Sequence, residues 1–309
     1  MGNAYEERLG TDRMLPLIFK MSLPAVAAQL VNLLYNIVDR IYIGHIPGIG
    51  TDALAGIGVT SAVIVLISSF SAIVGAGGSP LAAIALGRGN RERAGQILGN
   101  GFILLLIFTI LTSATTYLFM EPILLFTGAS ENTIGYATDY LSIYLLGTLF
   151  VELSVGLNTF INTQGRPTIA MYSVLIGAIL NIGLDPLFIF TFGMGVKGAA
   201  LATILSQACS AIWVISFLTS KKASLRLEYR YMKLHKGIIL SILALGVSPF
   251  IMASTESLVG FVLNSSLEKF GDIYVSASHH AKCHAHCKCS TDRFCARICS
   301  HCQLQLRTS

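Results

Sequence analysis

The sequence predicts an all-α polytopic membrane protein, and three observations support this fold class. Apolar residues make up 53% of the 309 residues and charged residues only 12%, with a mean hydropathy of +0.69. Soluble domains are closer to one quarter charged. The apolar residues also form blocks of about 20 or more, the length that crosses a hydrocarbon core roughly 30 Å thick. Soluble, disordered and disulfide-stapled secreted folds are therefore excluded.

Seven apolar blocks follow one another, and each is bounded by charged or turn residues. They cover about 15–46, 53–78, 94–119, 134–161, 168–191, 195–219 and 237–264. Polar residues precede the first span. The second span ends in G-A-G-G-S-P, and helix packing or a bend explains these glycines and this proline better than phosphate binding does. R-G-N-R-E-R introduces the third span, S-E-N-T the fourth, Q-G-R-P the fifth and G-V-K-G the sixth. The seventh follows a basic loop.

Basic residues in the connections predict the orientation, because Lys and Arg stay on the cytoplasmic side. Thirteen of them fall in the N-terminal segment and in the second, fourth and sixth loops, whereas the alternate loops hold only Lys197. The N-terminus is therefore expected inside. The net charge of +5 reflects this topology and requires no nucleic-acid partner.

A weak internal repeat relates the first span to the seventh. Pro24 aligns with Pro249 at an offset of 225 residues, and the same offset places Asp39 on Asn264. If the repeat is real, six spans form one lobe and the seventh begins a second. The predicted organisation is a cytoplasmic segment (1–14), a six-helix lobe (15–219), a basic inter-lobe loop (220–236), the first helix and following loop of an incomplete second lobe (237–277) and a Cys/His-rich tail (278–309).

Four acidic residues lie inside predicted spans, where an ionised carboxylate costs several kcal/mol. Asp39 lies in the first span, and Asp185 follows Asn181 by one helical turn in N-I-G-L-D-P. Pro186 frees a backbone carbonyl, and Thr203 on the next span adds a hydroxyl. These oxygen ligands suit a small hard cation or proton exchange. The alternative is that they only join helices through hydrogen bonds.

Glu152 and Glu256 are the other two acids, in the fourth and seventh spans. Either side chain could line a substrate cavity or pair with a neighbour. The sequence contains no Walker A or Rossmann pattern, so an ATP-driven pump is not supported.

Several motifs together resemble the multidrug and toxic compound extrusion (MATE) transporters, over about residues 14–277. They are L-P-A-V-A-A-Q-L-V-N-L-L-Y-N-I-V-D-R-I-Y-I-G-H, G-R-G-N-R-E-R-A, Q-G-R-P, N-I-G-L-D-P-L-F-I-F and G-V-K-G-A-A-L-A-T-I-L-S-Q. The resemblance implies a two-lobe antiporter of the bacterial cytoplasmic membrane, not an enzyme, that exports bulky organic cations by alternating access. It also implies Na+ or H+ as coupling ion and no other cofactor. The expected partners are the lipid bilayer and small organic cationic drugs, with no nucleic acid and no obligate protein partner.

The resemblance places the cation or proton site at Asp39, Asn181, Asp185 and Thr203, and a cavity-facing acid at Glu256. The second lobe is the departure from the family pattern, because only its first helix is present. The absence of the other second-lobe helices predicts that the chain is an incomplete, inactive product. A non-transporting membrane fragment is the alternative from another class.

The tail has a different composition from the rest of the chain. Six of the seven cysteines fall within it, at Cys283, Cys287, Cys289, Cys295, Cys299 and Cys302. A thiolate and imidazole metal module is one interpretation, but the spacing matches no regular zinc framework. The favoured interpretation is a frameshift near Ser278. Residues His279 through Arg307 can be written in codons that, read one base out of frame, encode a peptide like the family's eighth helix. No metal site is predicted, and the tail cysteines remain only a weak alternative.

Overall fold

The computed structural model describes residues 14–268, which form eight α-helices without a β-strand. They are α1 (Met14–Gly44), α2 (Gly50–Gly87), α3 (Arg91–Leu118), α4 (Met120–Phe126), α5 (Ile134–Thr163), α6 (Pro167–Pro186), α7 (Val196–Thr219) and α8 (Lys236–Glu268). A π-helix, Leu187–Thr191, continues α6, and one 3-10 turn, Tyr229–Tyr231, lies between α7 and α8. This confirms the all-α fold class over the described residues.

Six helices in this part of the chain are long and apolar enough to cross a membrane: α2, α3, α5, α6 with its π-helix, α7 and α8. They correspond to six of the seven predicted spans. The first predicted span corresponds to α1, which has 31 residues and is not among these six. Its position in the bilayer stays a prediction, as does the division into two lobes. Residues 278–309, with the six tail cysteines, lie outside the described residues.

The connections on one end of the bundle are fixed by local sequence. Gly89 has φ +73°, the left-handed conformation that ends α2. Asn90 then caps α3 by accepting a hydrogen bond from the backbone N–H of Arg93 at 2.9 Å. Pro167 opens α6, where the missing N–H is not needed. These residues explain why α3 and α6 begin where they do.

α2 is nine residues longer than predicted at its carboxyl end, since it continues through Pro80 to Gly87. Proline removes one helical hydrogen bond and usually bends or ends a helix. Here Ser79 anchors the helix to α5, with its hydroxyl 2.5 Å from the hydroxyl oxygen of Thr163. The helix therefore extends beyond the predicted span, while the part of it that crosses the bilayer stays a prediction.

α2 lies at the centre of the described bundle and packs against α3, α5 and α8. A Cβ on Gly77 would collide with the Ile242 carbonyl oxygen of α8, and a Cβ on Gly246 would collide with the Ile73 carbonyl oxygen of α2. The two glycines therefore allow the α2 and α8 backbones to touch. Ser257 adds a 2.6 Å hydrogen bond from its hydroxyl to the Ala62 carbonyl.

α1, α6 and α7 form the opposite side of the bundle, joined to α2 through α5. Gly147 on α5 leaves room for the Ile204 side chain of α7. The indole N–H of Trp213, on α7, points at the Ile169 carbonyl oxygen of α6 at 3.4 Å. These contacts join α7 to α5 and α6 on the side of the bundle that holds the candidate site.

Candidate cation site

The carboxyl end of α6 supplies two polar side chains to one buried position. Asn181 and Asp185 are 2% and 0% exposed, and the Asn181 amide donates a hydrogen bond to Asp185 Oδ1 at 3.2 Å. Their spacing of four residues places them on the same helix face, as the sequence predicts. The π-helix that follows Pro186 interrupts the regular hydrogen-bond pattern directly beyond Asp185. Such interruptions often occur at functional positions.

Thr203 on α7 completes a contact between neighbouring helices. Its hydroxyl oxygen lies 3.4 Å from the Asn181 amide nitrogen. The side chain of Tyr140, on α5, lies next to the same threonine. Tyr140 is 5% exposed and its ring stacks on Tyr144, with 6.1 Å between ring centroids. Three helices therefore meet around Thr203.

Asp39 approaches from α1, which packs along α6. Its carboxyl group interacts electrostatically with that of Asp185. Tyr35, one turn earlier on α1, lies in the field of both acids. The structure therefore brings together the four residues that the sequence analysis proposed for the cation site. Their role stays a prediction.

Three side-chain oxygens in this cluster are buried without a hydrogen-bond partner among residues 14–268: Asp39 Oδ1, Asn181 Oδ1 and Asp185 Oδ2. A buried polar atom without a partner costs about 1–3 kcal/mol, and more when it carries charge. Carboxylate and amide oxygens are hard ligands, which fits a hard cation, and carboxylates also accept protons. The cluster therefore has the donor set of a cation or proton site.

Tyr35 and Tyr140 belong to this cluster, yet the sequence analysis did not select them. Tyr35 precedes Asp39 by one helical turn, so the i, i+4 rule that joined Asn181 to Asp185 would have found it. Tyr140 comes from a different helix, and its approach to Thr203 depends on helix packing. No local pattern in the sequence indicates that contact.

Glu152 lies away from the cluster, buried between α5 and α2. It is 2% exposed, and its carboxyl group is hydrogen-bonded to the hydroxyls of Ser68 and Ser71 on α2. Its Oε1 atom has no partner within the described residues. Glu256 is exposed on α8, while the adjacent Ser257 faces α2. The two acids are thus in different surroundings, and a cavity role for each stays a prediction.

A cavity of about 360 Å³ opens beside the cluster, between α1, α5, α6 and α7. Tyr35 belongs both to its wall and to the acid cluster. Amide and hydroxyl side chains line much of the remainder, among them Gln29, Asn32, Asn158 and Gln207. Its volume is in the range of small-molecule sites. Neither Glu152 nor Glu256 lines this cavity.

Cysteine and histidine clusters do not contribute a second site within residues 14–268. No three His, Cys, Asp or Glu side chains come together there as metal ligands. Cys209 is a free, exposed thiol on α7. The weak alternative of a metal-binding tail falls on residues that the structure does not describe.

Comparison with known proteins gives consistent matches. The MatE family model matches residues 24–187. The multidrug export protein MepA of Staphylococcus haemolyticus (strain JCSC1435) is 28% identical over 258 residues, which are 84% of this chain and 56% of MepA. The chain thus spans little more than half the length of this relative.

Two solved structures share the fold. The structure of the MATE multidrug transporter DinF-BH has a TM-score of 0.85 and 33% sequence identity, covering 90% of this chain and 62% of that chain. An inward-facing structure of a multidrug resistance MATE family transporter of the MOP superfamily has a TM-score of 0.74 and 26% identity, over 84% of this chain and 59% of that chain. Both matches extend over most of the described helices.

Proposed function

This chain belongs to the MatE family, and from that premise we propose that it carries the coupling site of a cation-driven antiporter. Na+ or H+ binds among Asp39, Asn181, Asp185 and Thr203, and its binding is linked to export of a bulky organic cation. The observation that carries this proposal is the group of three buried oxygens without partners, contributed by α1 and α6. No cofactor other than the coupling ion is proposed.

A positive charge at this position has a direct electrostatic benefit. Two carboxyl groups share a buried region, and when both are ionised they repel one another. Na+ relieves that repulsion by coordination, and a proton relieves it by neutralising one acid. In both cases the ion joins α1 to α6, whereas its loss allows the two helices to separate. Discontinuous helices near such sites are a recurrent feature of cation-coupled transporters.

Coupling then requires only that the ion and the drug favour different conformations. A preference of a few kcal/mol by each ligand is sufficient for alternating access. Tyr35 supports this link, because it lines the 360 Å³ cavity and lies in the electrostatic field of both acids. A drug entering the cavity would therefore contact a residue that senses the ion.

The negative cluster beside an amide-lined cavity favours small organic cationic drugs as substrates. Glu256, exposed on α8, and Glu152, buried between α5 and α2, are the proposed substrate-cavity acids. The lipid bilayer of the bacterial cytoplasmic membrane is the proposed surrounding, with the N-terminus inside. We propose neither a nucleic-acid partner nor an obligate protein partner.

Ion binding to the purified 309-residue chain tests this proposal without requiring transport. Equilibrium binding of radioactive Na+ would be measured in detergent micelles at several pH values. Asp39→Asn and Asp185→Asn should each weaken Na+ binding by roughly tenfold or more, because each removes a charged ligand. Asp139→Asn is the matched control, since Asp139 is a partly exposed acid paired with Lys197 at 3.2 Å, outside the cluster.

If H+ is the coupling ion, no saturable Na+ binding is expected. Instead, proton uptake measured by potentiometric titration of the folded chain should fall by one site in Asp185→Asn and remain unchanged in Asp139→Asn. Circular dichroism shows whether each variant retains its helices. Unaltered Na+ binding and unaltered proton uptake in both folded site variants would contradict the proposal.

A further inference from the structure

A second cavity, of about 570 Å³, lies at the end of the bundle where α3 and α6 begin and α7 ends. Six basic side chains line it: Arg91, Arg166, Lys221, Lys222, Arg226 and Arg230. A single acid, Glu228, accompanies them. The loop between α7 and α8 supplies most of this wall, so we refer to it as the basic cavity.

Buried amide side chains hold this loop in one conformation. Gln164, at the end of α5, accepts a hydrogen bond from the Leu225 backbone N–H at 3.1 Å, and the Leu225 side chain is 1% exposed. Asn100 on α3 accepts from the His235 N–H at 2.8 Å and donates to the Lys233 carbonyl at 3.0 Å. The loop therefore presents its basic residues from a fixed framework.

Of the described residues, only one acidic side chain lines the basic cavity beside its six cations. Glu228 is bound to Arg230, with 2.7 Å between Oε2 and Nε. The Arg226 guanidinium donates to the Lys221 carbonyl oxygen at 2.8 Å, which is a neutral acceptor. Within residues 14–268, no acidic side chain forms an ion pair with Arg166, Lys221 or Lys222. Several cations thus converge on one concave space without matching anions.

We propose that the basic cavity binds the phosphodiester headgroup of an anionic phospholipid. Arginine and lysine together recognise phosphate oxygens through charge-assisted hydrogen bonds. The cavity is bounded by the ends of helices that are long and apolar enough to cross a membrane, and basic pockets between such helices favour anionic lipids. The positive-inside rule alone would explain basic residues in this loop. It does not explain why their side chains converge on one cavity.

Glu228 limits how strongly the cavity attracts an anion. Its carboxylate occupies Arg230 and adds a negative charge to the wall. Replacing it with glutamine should release the guanidinium and strengthen binding. A general dependence on loop charge predicts the same direction, so a control outside the cavity is needed to separate the two explanations.

The test uses the purified full chain in a neutral detergent. Thermal unfolding would be followed while phosphatidylglycerol, phosphatidylcholine or sodium phosphate is titrated at constant ionic strength. Phosphatidylglycerol should raise Tm in a saturable manner, and phosphatidylcholine should not. Lys222→Gln should weaken the apparent phosphatidylglycerol affinity by about tenfold, and Arg226→Gln should do the same. Glu228→Gln should strengthen it.

Lys236→Gln is the matched control, because Lys236 is an exposed basic residue near the same end of the bundle that does not line the cavity. Lys222→Gln is the safer of the two cavity variants, since Arg226 also bonds within the loop. Equal losses in Lys236→Gln and Lys222→Gln would overturn the proposal. A phosphate effect that matches phosphatidylglycerol at equal concentration would overturn the lipid assignment and identify a free anion as the ligand.

Discussion

Tyr140 brings a side chain of α5 to the candidate cation site. It lies next to Thr203, whose hydroxyl oxygen is in turn 3.4 Å from the Asn181 amide nitrogen. The ring itself packs on Tyr144 and is almost fully buried. Tyr140 is therefore a positioning residue: it orients the threonine oxygen, while the acids supply the charge.

Tyr140→Phe should weaken Na+ binding by about three- to tenfold, the equivalent of one hydrogen bond, without changing the fold. The loss should appear in the binding constant, with the number of bound ions unchanged. Radioactive Na+ binding measures both quantities. Tyr136→Phe, one turn earlier on α5 and outside the cluster, is the control. Equal affinities for wild type and Tyr140→Phe would remove Tyr140 from the site.

Residue chemistry explains which members of the site the sequence could reveal. Asp39 and Asp185 were predictable because an ionised carboxylate inside an apolar span costs several kcal/mol, which makes a functional role the first hypothesis. Asn181 followed from helical spacing, and Thr203 from the resemblance together with its hydroxyl. Tyr140 was not predictable, because an aromatic residue in an apolar helix is most simply explained by packing.

The contact between α2 and α8 depends on two small residues at the scale of the helix pair. Gly77 and Gly246 each face a backbone carbonyl of the opposite helix. Any side chain at either position would push the helices apart, since backbone atoms cannot move aside as flexible side chains do. The first helix of the predicted second lobe is thereby fixed to the centre of the described bundle.

Gly246→Ala should lower the stability of the chain by about 1–3 kcal/mol, because the added methyl group meets the Ile73 carbonyl. Gly237→Ala, in the first turn of the same helix, has open space around it and should be neutral or stabilising by up to about 1 kcal/mol. Unfolding in mixed detergent micelles measures both. Similar stabilities for the two variants would show that the helices adjust at no cost.

Helix type was easier to predict than helix length. The long apolar blocks correspond to long helices, but α2 continues past Pro80 because Ser79 is anchored on α5. The short helix α4 was not predicted either, since its seven residues directly follow the end of α3. Both differences arise from contacts or junctions that local hydropathy does not describe.

Charge distribution is the property of the whole molecule that predicts its orientation. The loops on one end carry the basic cavity, whereas the opposite end carries Lys197, which is paired with Asp139. The described structure shows which loops share an end of the bundle, but the side of the membrane each faces stays a prediction from the basic residues.

A cysteine-labelling experiment distinguishes the two orientations. In a chain whose seven native cysteines are replaced by serine, Lys197→Cys should react with a membrane-impermeant maleimide in intact cells. Lys222→Cys should react only after the cells are permeabilised, because its loop is expected inside. Both positions are exposed, so access through the protein does not limit the reaction. The reverse pattern would invert the topology.

Trp213 is the single tryptophan of the chain, and its indole joins α7 to α6. These are the helices that hold Thr203, Asn181 and Asp185. Movement of α7 against α6 would alter the surroundings of that ring, so the emission spectrum of the native protein should report motion between these two helices. A ligand that moves the helices can therefore be timed in a stopped-flow instrument without attaching a dye.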